Sequence, residues 1–303
     1  MSPPARARMA PVTTGLEFWL YLPQMRMTMD ELTERALAAE AAGFAGVAGM
    51  DHLAPPGAEA SPMFEPMVTN AWVASRTTAL RVGSLVLCDS FRHPAVLARE
   101  AVTIDHASGG RFEIGIGWGS VPDEIERFGV GSTKAGVRVG RLRESLEILT
   151  ALWRGEEVDY EGEHFRLRGA RQQPVPLTTI PITIGGAGAM TMQLVAAYAD
   201  WWNVHISILD RFDEMRPLAG LARPSMQVQV AFVGPGAARD EVERTAERRF
   251  GWGRFVLGDA GELVERFGGL AGRGVERLYV WFTDFAPPET LATFGQTVIA
   301  ELR

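Results

Sequence analysis

Short apolar runs alternate with longer amphipathic stretches along almost the whole chain, and that alternation leaves few folds open. A buried strand needs cover on both faces, and a helix placed after each strand supplies it. The runs 15–22, 44–50, 80–88, 111–118, 181–184, 200–206, 226–233 and 275–282 read as eight strands. Between them, the stretches up to Ala42, 94–107, 137–153 and 189–199 read as helices, and 287–302 as a closing one. Thr28 or Asp30 is placed to cap the first helix and Gly43 to end it. In the long helix, Leu142, Leu146, Leu149 and Trp153 form the stripe of a half-buried face. At 158–167 the period shortens, and Glu161-Gly162 marks the turn of a β-hairpin within an insertion at about 156–180. Eight βα units without a break in composition predict a (β/α)8 TIM barrel, with residues 15–303 one domain and 1–14 a tail.

Composition narrows the function classes. The 303 residues are 47% hydrophobic and 22% charged, an ordinary packed chain. A formal net charge of −7 without a Lys/Arg run argues against nucleic acid or an anionic membrane as partner. Cys88 is the single cysteine, so no internal disulfide is available and a cytoplasmic setting is expected. No apolar run is long enough for a membrane span, and the basic, Pro-rich start has no apolar core of a signal peptide.

In a TIM barrel the chemistry gathers where the strands end, which selects a few residues. Asp51-His52 follows strand two, with histidine the natural proton donor or acceptor near neutrality. Gly117-Trp118-Gly119 follows strand four, where glycine permits close backbone approach. Gly185-Gly186-Ala187-Gly188 follows strand five and opens a helix, the setting of an anion site. Trp19, Met50, Trp118 and Trp202 are read as substrate-pocket walls, Trp118 equally as core. Methionines 25, 27, 29, 50, 63 and 67 crowd the first loops, filling core gaps or fitting a large apolar substrate. No metal-ligand spacing, G-x-S-x-G element or Rossmann glycine pattern occurs.

The segment FRHPAVLAREAVTIDHASGGRFEIGIGWG, residues 91–119, carries R-H-P-x-x-x-A, then D-x-x-S-x-G-R, then a strand ending in G-x-G. With Asp51-His52-Leu53, Phe64-Glu65-Pro66, Arg81-Val82-Gly83, Trp153-Arg154-Gly155-Glu156, Tyr160-Glu161-Gly162, the run 181–188 and Ala199-Asp200 in order, the chain resembles the bacterial-luciferase-like flavin and deazaflavin oxidoreductases. The resemblance implies hydride transfer between coenzyme F420 and an organic small molecule or peptide. The alternatives are an FMN-dependent monooxygenase and a non-catalytic flavin-binding relative. It further implies His52 beside the hydride-carrying carbon, with Asp51 orienting the imidazole. Ser84-Leu85-Val86 would form a bulge behind the ring with a non-prolyl cis peptide at Leu85-Val86. Residues 185–188 would hold the cofactor phosphate, and the protein would be a homodimer through outer helices carrying Met67, Val68, Trp72, Val96 and Leu97. Two departures stand out: Ser120 replaces the acid of the family's sugar-phosphate dehydrogenases, and Trp201-Trp202-Asn203 replaces the usual Gly-Trp-Asn, which predicts a narrower site at strand six.

Overall fold

A computed structural model describes residues 15–251 and 254–303; the expected tail, 1–14, lies outside them. Among the described residues, eight parallel strands close into a barrel: β1 Glu17–Tyr21, β2 Gly46–Gly49, β3 Arg81–Ser84, β4 Phe112–Gly117, β5 Ile182–Gly185, β6 Trp201–His205, β7 Arg223–Phe232 and β8 Arg277–Phe282. β8 pairs with β1 in the register Glu17 to Arg277 and Trp19 to Tyr279, which shuts the cylinder. The strands alternate as a barrel requires. Phe18 of β1 turns outward onto Phe267 and Phe294 of the helical layer, at ring separations of 6.0 and 5.9 Å, whereas Glu17, Trp19 and Tyr21 face the lumen.

Thr28 caps the first helix, Met29–Ala41, in a reciprocal box with Glu31, so of the two expected caps Thr28 is used. Helix Ala135–Trp153 buries Leu142, Leu146 and Leu149 as its stripe predicts. The hairpin Val158–Glu161 with Arg166–Ala170 is anchored to that helix, because Glu144 accepts hydrogen bonds from the N–H groups of Glu163, His164 and Phe165. The sequence did not foretell a short strand, Phe255–Gly258, that lengthens the barrel wall beyond β6 by pairing with the upper half of β7. No helix among the described residues is long and apolar enough to cross a membrane.

The N-terminal end of the lumen is filled by charge. Arg277, 2% exposed, gives both terminal nitrogens to Glu113 at 2.7 and 3.2 Å and pairs with Glu17 through Nε at 2.6 Å. Arg81 meets the same Glu113 at 2.6 Å. The guanidinium of Arg277 lies between indoles, 3.7 Å from the ring centre of Trp201 and 4.5 Å from that of Trp19. Trp19 thus belongs to the floor and not, as expected, to a substrate pocket, and Trp201 lies too low to narrow the site at strand six. Burial works to raise the Glu113 carboxyl, but Arg277 and Arg81 outweigh it and hold its pKa below the ordinary 4.5. Its stabilising contribution is therefore present above that ordinary value and lost as pH falls through the depressed folded one. Replacing Glu113 by Leu leaves Arg277 buried with Glu17 as its remaining carboxylate and should cost about 3–5 kcal/mol in urea unfolding. A loss of about 1 kcal/mol or less, the worth of a surface pair, would show the plug to be dispensable.

Candidate active site

The third strand stops being regular at Ser84. A Cβ on Gly115 would lie 1.9 Å from the Ser84 carbonyl oxygen, so β4 admits the departing chain only with glycine there. The Leu85–Val86 peptide is cis, and Leu87-Cys88 then rejoins β4 opposite Ile116 and Gly117. Val86 settles between strand ends: Cβ atoms added to Gly117 and Gly185 would stand 2.9 and 3.5 Å from its methyls. These two glycines thus make room for Val86, a role in packing that the sequence did not separate from cofactor approach. Leu85 and Val86 face a cavity of about 1260 Å³ at the C-terminal mouth of the barrel, together with Tyr21, Met50, His52 and Gly119. The Ser84 hydroxyl points away, accepting from Asn70 Nδ2 at 3.1 Å.

His52 stands on the same cavity, but its partner is not the expected one. Its Nδ1 lies 2.9 Å from Glu124 Oε2, while Glu124 Oε1 accepts from the N–H groups of Leu53 at 2.5 Å and Ala54 at 3.1 Å. Burial works to raise the Glu124 carboxyl; the His52 hydrogen bond and the Ala54 and Leu53 amides outweigh it and leave the pKa below 4.5. A carboxylate only accepts, so Nδ1 carries the proton and the neutral ring keeps Nε2 as a base. Asp51 is turned to a different task. It accepts from Cys88 N–H at 2.8 Å and from both Arg92 terminal nitrogens at 2.5 and 3.1 Å, and Arg92 also pairs with Glu65. Asp51 therefore ties the second strand end to the chain beyond the bulge and does not orient the imidazole. Burial pushes the Cys88 thiol up to about 12, in keeping with an inert, packed residue.

Two other expected pocket walls move elsewhere. Trp118 is half-buried outside the cavity lining, donating from Nε1 to Thr191 Oγ1 at 3.1 Å, with Arg138 stacked 4.9 Å from its ring centre. Trp202 points out of the barrel, stacks on Phe212 at 5.5 Å and donates to the Gly186 carbonyl at 2.8 Å. It braces the Gly185–Gly188 loop from behind. That loop precedes helix Ala189–Tyr198, whose first turn has no side-chain cap. Beside it, through Trp118, lies Arg138: 3% exposed, with Nε and Nη1 finding no hydrogen-bond partner. Of the expected walls, Met50 alone lines the cavity.

The rest of the lining was not foreseen. Tyr21, Trp281, Phe250 and Phe285 form an aromatic side, and His205, Gln227 and Gln229 a polar one. Inward alternation along β6, β7 and β8 would have pointed to His205, Gln229 and Trp281 had the strand ends been placed to the residue. Glu124 gave no signal, because its helix, Pro122–Phe128, does not appear as an element in the sequence pattern.

A closed parallel barrel with convergent titratable groups at the strand C-termini is the architecture of a (β/α)8 enzyme. The family model for luciferase-like monooxygenases matches residues 5–258, and the chain belongs to that family. The F420-dependent glucose-6-phosphate dehydrogenase of Mycobacterium avium (strain 104) is 37% identical over 171 residues, 56% of this chain and 50% of that protein. The chain thus spans about half the length of the curated relatives it matches. Among solved structures, an F420-dependent secondary alcohol dehydrogenase in complex with an F420-acetone adduct is similar with a TM-score of 0.81 at 16% identity, over 96% of this chain and 100% of that one. The monooxygenase RslO1 from Streptomyces bottropensis gives 0.80 at 18%, over 95% and 100%. At such identities the structural likeness establishes the fold.

If Glu124 positions His52, Glu124→Gln leaves one oxygen for the Leu53 and Ala54 amides and turns an NH₂ donor toward Nδ1, which unsettles the tautomer and removes the charge that stabilises the protonated ring. Turnover should fall by about tenfold or more, short of the ~10²–10⁴ for losing the acid or base itself. The limb of the pH–rate profile governed by this pair should move to lower pH. A mutant with unchanged rate and pH profile would reduce Glu124 to a loop anchor.

Proposed function

We propose that the chain is an oxidoreductase that transfers a hydride between the deazaflavin coenzyme F420 and an organic substrate. The observation that carries this reading is the His52–Glu124 pair on the same cavity as the Leu85–Val86 bulge. The cavity, at about 1260 Å³, exceeds the roughly 300–1,000 Å³ of a single small-ligand site, so a ring system and a co-substrate fit together. The residues suit the cofactor. Leu85 and Val86 offer an apolar backing for a flat ring, and Arg138, a buried cation with two unpartnered donors, together with the uncapped first turn after Gly188 suits a phosphate. When bound, the deazaflavin supplies or accepts the hydride at its central ring carbon. The protein does the rest: Glu124 fixes the His52 tautomer, and His52 Nε2 gives or takes the substrate proton.

Paired titration decides between cofactors. Fluorescence titration should show deazaflavin binding, weakened about 10- to 100-fold in Arg138→Leu by the loss of a charge-assisted contact. His52→Ala should bind deazaflavin nearly as the wild type does while losing ~10² to 10⁴ in turnover. Tight FMN binding with no deazaflavin binding would replace this reading by the luciferase-like, oxygen-using one.

We further propose a cytoplasmic homodimer. The buried, unpaired Cys88 thiol suits a reducing compartment. A groove between helices Pro66–Ala74 and Pro94–Ser108 is lined by Phe64, Val68 and Val96, which are 38%, 69% and 54% exposed. The apolar surface there exceeds what one barrel buries. Of the other residues expected on this face, Met67 reaches the groove's lining although largely buried, and Leu97 packs into the chain's own core. Sedimentation at micromolar concentration should give twice the chain mass, and Val68→Glu should give the monomer; a monomeric wild type overturns the proposal.

A further inference from the structure

One side of the cavity is built from neutral groups that aim a hydrogen-bond donor inward. Ser207 N–H lies 3.1 Å from His205 Nδ1. A backbone amide only donates, so Nδ1 is the acceptor and the ring proton of neutral His205 sits on Nε2. Nε2 is 2.7 Å from Gln229 Oε1, so Nε2–H donates there, and this contact also fixes which end of the Gln229 amide is oxygen. The NH₂ end remains. Gln229 is 1% exposed, lines the cavity and donates to no described side chain. A buried amide donor without an acceptor keeps its desolvation cost until a ligand oxygen meets it.

Around this donor the surface is aromatic. Tyr21 and Trp281 meet edge to face at 5.1 Å, Phe250 and Trp281 at 4.8 Å, and Phe285 lies 6.3 Å from Phe250. Such a side favours a flat or ring-shaped apolar body. Charge argues in the same direction. Asp51 and Glu124 both line the cavity, and the lining arginines Arg26, Arg248 and Arg249 are exposed, at its outer mouth. Asp51 is already neutralised by Arg92, and no buried Arg or Lys is among the described lining residues, so an anion in the depth of the cavity would find the Glu124 carboxylate and no free cation.

We propose that this half of the cavity binds a neutral, ring-bearing carbonyl compound, its oxygen held by the Gln229 amide and its ring against Tyr21, Trp281 and Phe250. The proposal names a substrate class for the oxidoreductase reading and rests on it. Sugar phosphates and other small anions are excluded. The test is calorimetric titration of acetophenone, benzoate and glucose 6-phosphate into the purified protein without cofactor. Acetophenone should saturate a site, and the two anions should not. Gln229→Glu keeps an acceptor for His205 and replaces the inward NH₂ by a charged oxygen that only accepts, so it should weaken acetophenone about tenfold or more. Gln229→Leu should do the same, and Gln229→Glu carries the test alone if the leucine variant melts early. Unchanged acetophenone affinity in Gln229→Glu, or anion binding as tight as that of acetophenone, overturns the proposal. Deazaflavin titrated in parallel separates the two readings: acetophenone binding alongside failed deazaflavin binding supports the site and overturns only the cofactor assignment.

Discussion

The contact on which the rest of the site depends is that of the Ser84 carbonyl with Gly115. By filling the space of a side chain at that position, it releases the third strand from its neighbour for the length of Leu85 and Val86. Leu87-Cys88 then returns to β4, and the return places the Cys88 N–H where Asp51 can accept it. Asp51 in turn holds Arg92 at the head of the next helix. Three strand ends and one helix are thus fixed by one interruption, and His52, next to Asp51, is left to reach across to Glu124.

The barrel closes one set of buried charges at its floor, at the opposite end from the cavity. At the floor, Arg277, Glu113, Arg81 and Glu17 neutralise one another among indoles. Desolvated ions are tolerated only in such closed sets. At the mouth, Asp51 and Glu124 are each spent on a partner, the lining arginines Arg26, Arg248 and Arg249 are exposed, and His205 and Gln229 are paired with each other. The floor is consequently a matter of stability. The mouth can change its ligand without disturbing the ions beneath it.

The periodicity of the chain was enough to show the barrel, because a strand covered on both faces and the helix after it leave different spacings in sequence. The hairpin was legible too, although its anchoring by Glu144 was not. What periodicity could not show was direction. Trp202 and Trp19 sit on strands the sequence places well, yet one braces a glycine loop from outside the barrel and the other lines its floor. A shift of one residue along a strand exchanges lumen for exterior, and two residues exchange floor for mouth. Ser84 shows the same limit: its strand was placed, but its hydroxyl faces Asn70. Glu124 and Arg138 were invisible for another reason. Each comes from a helix far along the chain, and only tertiary packing brings it to His52 or to Trp118.

The pairing of His52 with a carboxylate from a different βα unit has a consequence for specificity. With Glu124 on Nδ1, the imidazole presents a single basic nitrogen, Nε2, and the ring is held by a carboxylate that is itself pinned by two backbone amides. The atom proposed to handle the proton is therefore set by backbone geometry. On the proposed reading, recognition comes from the opposite side, from the His205–Gln229 pair and the Tyr21–Trp281–Phe250 surface. Because the two sides are carried by different strands, β2 on one hand and β6 to β8 on the other, the ligand-facing side can be altered while the proton-handling side stays as it is. Such a division is how (β/α)8 barrels in general serve chemically different substrates.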